Sequence, residues 1–285
     1  MVPVGYIITL AAVIGGFMMS GGNPAKLFVL SEYVVILGAL VGYIVGGAPV
    51  PLIKLLVSKI IAAMKGSPFK KQMYLDIISM LYELLMVARE QGVVGIEEHV
   101  VNPEASSIFT KYPSFLHDHH AVAFMQDAMR PIIDGKVKGD QMKASLEEEL
   151  NRIHHHLGQP TQLLSKAGDA LPAIGIVAAV LGIIITMGHL GGDKQEIGAH
   201  VSSALTGTLL GIFAAYSFVQ PLCFAIELAN EDEMAYYEVM SGMIVAYATG
   251  SPPIMAAEAG RKSIPADRKP TSEELETTLK ELGRK

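Results

Sequence analysis

The sequence predicts an all-α integral membrane protein, with four transmembrane helices and a helical cytoplasmic domain between spans two and three. Its composition is 51% hydrophobic and 18% charged, and its mean hydropathy of +0.38 is too high for an ordinary soluble domain. Four apolar runs are long enough to cross a hydrocarbon core of about 30 Å as helices that rise about 1.5 Å per residue. These runs are, approximately, Val2–Met19, Leu27–Val50, Ala170–Leu190 and Val201–Ile226. Apolar and polar residues do not alternate with a period of two, so we expect no sheet.

The basic residues predict how the spans are oriented. Of the 22 lysines and arginines, 13 lie in residues 51–170 and 7 in residues 230–285, whereas residues 1–50 and 171–229 hold one each. By the positive-inside rule, the middle segment and the tail face the cytoplasm. An even number of spans then puts both termini in the cytoplasm.

The outward side of the membrane is expected to hold little of this chain. The short loops Ser20–Lys26 and Gly191–His200 face that side in the predicted topology. The first apolar run has no basic segment before it and no small-residue cleavage site after it, so we expect a retained span, not a cleaved signal.

The predicted organisation has four parts. They are a transmembrane hairpin over residues 1–50, a cytoplasmic domain over 51–168, a second transmembrane hairpin over 169–229, and a cytoplasmic helix extension and tail over 230–285.

Span two carries both a packing motif and an acid. Gly38, Gly42 and Gly46 are four residues apart, which predicts a small-residue face for close helix packing. Glu32 lies near the outer end of the span, and we interpret it as a snorkelling or interfacial carboxylate. The alternative is a buried functional acid, because carboxylates buried in membranes are costly and usually functional.

Helical periodicity recurs in the cytoplasmic domain. Apolar residues recur at helical spacing from Tyr74 to Gln91, and that helix is expected to end near Gly92. Phe115–Ile133 and Lys143–Leu157 are typical of further helices. After span four, Glu227–Ala248 is expected to extend the same helix, and Thr271–Leu282 forms either a short helix or a disordered tail.

Small residues form a stripe on each helix of the second hairpin. Four in span three and four in span four recur at nearly helical spacing. They are Gly175, Ala178, Ala179 and Gly182, and then Ser203, Gly207, Gly211 and Ala214. Such stripes either line a pathway with another chain or pack the two helices together within one subunit.

Hydroxyls and prolines are the other notable residues of this hairpin. Thr186, Thr206 and Thr208 either line a pore or bond the carbonyl four residues earlier on their own helix. Pro172 is expected to open span three. Pro221, late in span four, must free a carbonyl and bend the helix, so it is a candidate hinge or a static bend.

The sequence offers no support for an enzyme, a metal site or nucleic-acid binding. The histidines of His117–His120 and His154–His156 point in different directions on a helix, so neither cluster can chelate from one face. The single cysteine, Cys223, excludes a disulfide framework. The chain lacks a phosphate loop, a nucleophile elbow and a cysteine–histidine pair, and its net charge of −6 gives no indication of a nucleic-acid partner.

Three motifs resemble the MotA branch of the MotA/TolQ/ExbB proton-channel family. They are LPAIGIVAAVLG at residues 171–182, then His119-His120-Ala121 followed by Phe124, Asp127 and Arg130, and Arg89-Glu90-Gln91-Gly92 followed by Glu97 and Asn102-Pro103. The resemblance covers nearly the whole chain up to about Ser251. TolQ and ExbB proteins have three spans, so the additional hairpin favours the MotA branch.

The resemblance implies a stator subunit of the bacterial flagellar motor in the inner membrane. Such subunits assemble as a pentamer around two copies of MotB, which brings a membrane aspartate and an outer domain that grips peptidoglycan. Protons pass by that aspartate, and the cytoplasmic domain pushes the rotor protein FliG. The implied coupling ion is the proton, and no cofactor is implied.

The resemblance also assigns roles to single residues. Arg89 and Glu97 match the family's rotor-contacting charges, although from the sequence alone they belong to a solvated face. Pro172 and Pro221 match its two functional prolines near the channel, and Thr208 matches its span-four threonine.

The coupling ion is predicted from two departures on the ion path. Sodium-driven relatives carry threonine where Ala179 and Gly207 stand here. With Thr208 kept, and with Thr186 as a further ion-path candidate, the chain still lacks two of three hydroxyl ligands for a hard cation. This pattern predicts proton coupling.

Two other functions fit the same features. An ExbB- or TolQ-like energiser of an outer-membrane transport system would differ in its partner. A membrane scaffold without ion flux would also need close packing faces, and it is excluded if changes at Thr208 or Pro172 alter proton flux without altering assembly.

Overall fold

The computed structural model describes residues 1–135, 139–188 and 194–282, with the side chain of Glu196 excepted. In this part of the chain every regular element is a helix, which confirms the all-α prediction. The α-helices are α1 Val2–Met19, α2 Leu30–Gly47, α3 Val50–Lys65, α4 Lys71–Gln91, α5 Val94–Val101, α6 Pro113–Leu116, α7 His119–Ile133, α8 Gly139–Gly188, α9 Lys194–Ala214, α10 Gln220–Ala248, α11 Pro253–Lys262 and α12 Ser272–Leu282.

Two compact units make up the chain, and each is discontinuous in sequence. The first consists of Met1–Gly66 and Leu157–Ala229, and the second of Ser67–His156 and Asn230–Lys285.

The first unit contains the apolar helices. Four segments are long and apolar enough to cross a membrane, namely Val2–Met19, Pro24–Gly47, and stretches within Gly139–Gly188 and Ile197–Ala248. Helix α1 buries none of its residues within the chain, as expected for a helix whose apolar surface is covered by lipid or by another protein. The predicted end of span three at Leu190 and the first residues of the loop Gly191–His200 lie outside the described residues.

Helix α4 lies at the centre of the second unit. The predicted periodicity is observed, because Tyr74, Ile78, Leu81 and Leu85 are fully buried on this helix. Gly92 ends it with a φ of 77°, a conformation that residues with a Cβ rarely adopt. Full burial of each large apolar side chain contributes roughly 1.5–3 kcal/mol, so the buried face of α4 contributes substantially to the stability of this unit.

The C-terminal segment contains the helix α12, Ser272–Leu282. Helix α12 begins with a capping box, in which the Glu274 N–H donates to Thr271 Oγ1 (3.1 Å) and the Thr271 N–H donates to Glu274 Oε2 (2.7 Å). Leu275 and Leu279 are buried in the core that contains α4. Of the two alternatives left by the sequence, the helix is therefore correct and the disordered tail is wrong.

Candidate functional site

Helices α8 and α9 meet through glycine backbones. A Cβ on Gly175 would lie 2.9 Å from the Gly207 carbonyl oxygen and 3.0 Å from Gly211 Cα. A Cβ on Gly211 would lie 2.7 Å from the Leu171 carbonyl oxygen. Because real Cβ atoms do not approach this closely, only glycine permits this crossing. The small-residue stripes therefore pack the two helices together within one chain.

Two of the candidate ion-path residues, Ala179 and Gly207, lie near the same crossing. Ala178 Cβ lies 3.2 Å from where a Cβ on Gly207 would stand, and Ala179 is the next residue of α8. Both alanines are buried within the chain. The structure thus brings Gly207 against the segment that contains Ala179, and methyl groups and backbone fill the space between the helices.

Two of the three threonines bond their own helix. The Thr186 hydroxyl donates to the Gly182 carbonyl (2.8 Å) and the Thr206 hydroxyl to the Ser202 carbonyl (2.9 Å), both four residues earlier. Both side chains are buried. Since Thr208 is two residues beyond Thr206, it points to a different face of α9, and it is only half-buried.

A wide turn precedes Pro221. The residues Ala215–Val219 form one π-helical turn between α9 and α10. A proline lacks an N–H, and its ring clashes with the carbonyl four residues earlier, here that of Ser217. The π turn gives this ring room, so the bend expected from the sequence takes the form of a π bulge.

Helix α1 holds the π turn from the side. The Tyr6 hydroxyl donates to the Phe218 carbonyl at 2.7 Å, and the two rings lie 4.9 Å apart. Phe213 contacts Phe218 edge-on at 5.4 Å. The π turn is therefore held against α1 by one hydrogen bond and one aromatic contact, neither of which was predicted from the sequence.

Pro172 lies inside a helix. The sequence predicts that it opens span three, and α8 runs from Gly139 through Pro172 to Gly188 without interruption. Pro160 also lies within this helix, so a span that begins at Pro172 would be part of a longer helix. At Pro172 the carbonyl of Gly168 loses its usual backbone donor.

Glu32 contacts α9, although the sequence analysis assigned it to the interface. Only 5% of the residue is exposed. Its Oε1 lies 3.4 Å from Ser203 Oγ, and its Oε2 is buried with no hydrogen-bond partner in the described part of the chain. A Cβ on Gly207 would collide with Oε2 and lie 3.2 Å from Glu32 Cδ. The snorkelling interpretation is contradicted, since the carboxyl points into a gap that glycine leaves open.

The predicted rotor-contacting charges are exposed at the end of one helix and at the start of the next in the second unit. Arg89 lies in the last turn of α4 and Glu97 in the first turn of α5. Gly95 lets α5 fold back, because a Cβ there would lie 2.7 Å from Gln91 Cβ.

Glu97 also borders a polar cleft. This cleft has a volume of about 270 Å³, and its lining includes Asp127 and Arg130. The structure thus brings Glu97 together with two residues of the second sequence motif.

Another carboxylate of α4, Glu83, takes part in contacts within the second unit. It forms an ion pair with Lys111 and accepts a hydrogen bond from the Tyr112 hydroxyl at 2.8 Å. Burial raises the pKa of Tyr112 above its ordinary value, and the hydrogen bond to the Glu83 carboxylate raises it further. Glu83 therefore serves the local fold, in contrast to the exposed Arg89 and Glu97.

Comparison with known proteins gives consistent matches along the chain. The family described as "Motility protein A N-terminal" matches residues 3–92, and "MotA/TolQ/ExbB proton channel family" matches residues 117–239. Chemotaxis protein LafT of Vibrio parahaemolyticus is 35% identical over 277 residues, which cover 97% of each chain. Motility protein A of Escherichia coli is 32% identical over 276 residues, which cover 97% of this chain and 94% of that protein.

Two solved structures share the fold. The MotAB structure of C. jejuni has a TM-score of 0.75 and 21% sequence identity, and the match covers 93% of this chain and 96% of that one. The flagellar MotAB stator complex of Bacillus subtilis has a TM-score of 0.72 and 20% identity, with 93% and 95% covered.

Proposed function

The chain belongs to the motility protein A family of flagellar stator subunits, within the MotA/TolQ/ExbB proton channel family, and we propose that with MotB it converts proton flow into torque on the rotor protein FliG. It is a multi-pass protein of the inner membrane and not an enzyme. In this proposal five copies surround two MotB helices, and both termini lie in the cytoplasm.

The packing of α8 against α9 carries the proposal. Neither Leu171–Gly188 nor Val201–Ile226 contains a charged side chain. The pair therefore supplies a tight wall but no carboxylate that could take up a proton. An aspartate on the membrane helix of MotB is the group that this wall lacks.

Uncovered surfaces on the first unit support an assembly of several chains. Ile176, Val180 and Ile184 are each about half exposed on α8. Gly38 and Gly42 of α2 would carry a Cβ with nothing within 4 Å among the described residues. Small-residue faces of this kind let a helix from another chain approach closely.

Proton coupling is supported by the lack of space for a larger side chain at Gly207. A threonine there would collide with Glu32, and the buried Ala179 offers no oxygen. Thr208 keeps its hydroxyl, but a single hydroxyl is a poor site for a hard cation, which prefers several oxygen ligands. In the proposal, Pro172, Ala179, Thr186, Gly207, Thr208 and Pro221 all belong to the ion path or its gating.

The proposed mechanism is a shift in helix packing. Protonation of the MotB aspartate removes a charge that is expensive in hydrocarbon, and this biases the packing of the partner helix against α8 and α9. One charge moved through 100 mV supplies about 2.3 kcal/mol, which is enough to bias a two-state element. The π turn before Pro221 is the element that bends.

Arg89 and Glu97 are proposed to contact FliG. The Arg89→Glu variant is expected to reduce rotation strongly. The complex should still assemble, because Arg89 and Glu97 are both exposed and their side chains are not part of the core. A reciprocal charge reversal on FliG is expected to restore rotation, as scored by tethered-cell speed. Failure of every reciprocal change to rescue Arg89→Glu would mean that Arg89 has only a structural role.

The partner is the sharpest test of the whole proposal. The chain is purified gently from its own membranes and analysed by native mass spectrometry. The expected result is five copies with two of a single-span protein that carries a membrane aspartate and a peptidoglycan-binding domain. A TonB-like partner, or a homo-oligomer with no partner, would contradict the proposed mechanism.

A further inference from the structure

We propose that Glu32 is a second proton-carrying group of this stator subunit, seated between α2 and α9 beside the ion path. The inference rests on the proposed function, since it assumes that protons cross the membrane along α8 and α9. It adds a carboxyl from the chain itself to the one expected from MotB.

The position of Glu32 is the first argument. Its helix is one of the four apolar segments, and the residue is 95% buried within a single chain. An ionised carboxyl in such surroundings is costly unless it is paired or hydrogen-bonded, and a neutral one is not. Within the described residues its carboxyl accepts a hydrogen bond from the Ser203 hydroxyl, and the 3.4 Å between their oxygens makes this bond weak.

The gap at Gly207 is the second argument. Oε2 occupies the space that any side chain at position 207 would fill, and it has no partner in the described residues. Gly207 also touches Ala178 of α8. The unpaired oxygen therefore lies at the α8/α9 crossing, one residue from the predicted ion-path position Ala179.

The charges around this carboxyl determine what it can do. Helix α9 presents Ser203 and Gly207 to it, and α8 has no titratable side chain between Leu171 and Gly188. On α9, His200 lies one turn before Ser203 and is the titratable side chain of that helix nearest to Ser203 in sequence. A carboxyl in this position can bind a proton and become neutral. Its unpaired oxygen can then pass the proton to a water or to a second acid.

The proposed step conserves atoms and charge. A proton from outward water binds Glu32 Oε2 and leaves a neutral acid, which needs no counter-ion in the apolar site. The O–H bond then breaks as the proton moves, directly or through a water, to the MotB aspartate. Glu32 is left as a carboxylate that accepts the Ser203 hydroxyl until it is reprotonated.

Labelling of the unaltered complex tests the protonated form without any variant. Dicyclohexylcarbodiimide reacts with protonated carboxyls in apolar sites, and peptide mass spectrometry locates the adduct. We expect an adduct on Glu32 at neutral pH that decreases as the pH is raised. If Glu32 stays unlabelled at every pH while the membrane aspartate of MotB reacts, the proposal is wrong.

Variants test whether the proton is used. Glu32→Gln keeps the shape and is expected to reduce proton flux through the reconstituted complex several-fold, whereas Glu32→Asp retains part of the flux with an altered pH profile. Glu227→Gln removes an exposed carboxyl from the same unit and serves as the control. Normal flux and an unchanged pH profile in Glu32→Gln would overturn the proposal.

The gap itself provides the matched pair. Gly207→Ala should displace the carboxyl and reduce flux, whereas Gly198→Ala, on the same helix with nothing within 4 Å, should leave flux unchanged. Equal proton flux in both variants would contradict the proposed position of the Glu32 carboxyl beside Gly207. If the unaltered complex passes no protons, the proposed function fails; if it conducts and Glu32→Gln conducts equally, only this inference fails.

Discussion

The core around α4 and the crossing of α8 and α9 achieve close packing in opposite ways. In the second unit, large side chains such as Tyr74, Leu81 and Leu84 are fully buried against one another. At the crossing, Gly175 and Gly211 bring backbone against backbone with almost no side chain between them.

The difference follows from the solvent. In water, each square ångström of apolar surface that is buried contributes about 25 cal/mol, so a core gains from large side chains. In lipid that driving force between helices is absent, and close van der Waals contact has to replace it. The two regions should therefore respond to opposite substitutions, since one cannot lose volume and the other cannot gain it.

Loss of volume at the centre of the second unit is expected to have the largest effect. Leu81→Ala leaves a cavity beneath α4 and should reduce the free energy of unfolding by about 2–5 kcal/mol. Thermal unfolding of the purified complex measures it. Val94→Ala, at a position that is 75% exposed, is the control and should change stability by less than about 0.5 kcal/mol. Equal stability of the two variants would contradict the central role of α4.

Gain of volume at the α8/α9 crossing comes next. In Gly211→Ala the new methyl would meet the Leu171 carbonyl, and overpacking of this kind costs about 1–3 kcal/mol. The expected result is a lower melting temperature of the assembled complex. Gly198→Ala lies on the same helix in open space and should not lower it. A crossing that tolerates alanine at 211 would mean that the helices are not held by backbone contact.

A buried hydroxyl sharpens the comparison further. The Tyr74 hydroxyl donates to the Asp232 carbonyl at 2.8 Å, whereas the Thr186 and Thr206 hydroxyls donate to carbonyls of their own helices. Tyr74→Phe should therefore cost about 1 kcal/mol at neutral pH, because the carbonyl loses its donor. Tyr82→Phe, half-buried on the same helix, is the control.

The same hydroxyl predicts a pH dependence. Burial, and then the Asp232 carboxylate, raises the pKa of Tyr74 from its ordinary value of 10.0 to about 12. The unfolded chain loses this proton first, so stability is fully present below pH 10 and is lost as the pH rises towards 12. Tyr74→Phe should make this alkaline loss smaller in denaturant titrations at pH 8 and pH 11. An identical loss in the variant would assign it to other groups.

Much of the fold could be predicted from the sequence, because the signals were long and local. The apolar runs identified the spans, and the periodicity from Tyr74 to Gln91 identified α4. The C-terminal helix α12 was left open because its charged residues look like a solvated tail. Its capping residues, Thr271 and Glu274, were the signal that could have identified it.

The site was harder to predict, because its details depend on contacts between helices. Composition showed that small residues would pack, but not that Gly207 would make room for Glu32. A single acid near the end of a span resembles an interfacial residue until its partner helix is known. The π turn arose from Pro221 together with Tyr6, which is 215 positions earlier in the sequence, and no local pattern encodes that pairing.

Replacement of Pro221 is expected to have the smallest effect on stability and a direct effect on torque. Pro221→Leu restores an N–H that can donate to the Ser217 carbonyl, so the π turn can close into an ordinary α turn. The free energy of unfolding should change little, since Pro221 is exposed. Rotation of tethered cells should nevertheless be impaired, because a regular helix at this point has lost its bend.

A second variant separates the turn from the proline. Tyr6→Phe keeps the ring contact with Phe218 but removes the hydrogen bond to its carbonyl. It should loosen the π turn without closing it, so torque should fall less than in Pro221→Leu at equal levels of assembled complex. Normal rotation in Pro221→Leu would instead make the π turn a static accommodation of the proline. The hinge would then have to be sought in the glycine crossing, where backbones touch each other directly with few side chains to interlock.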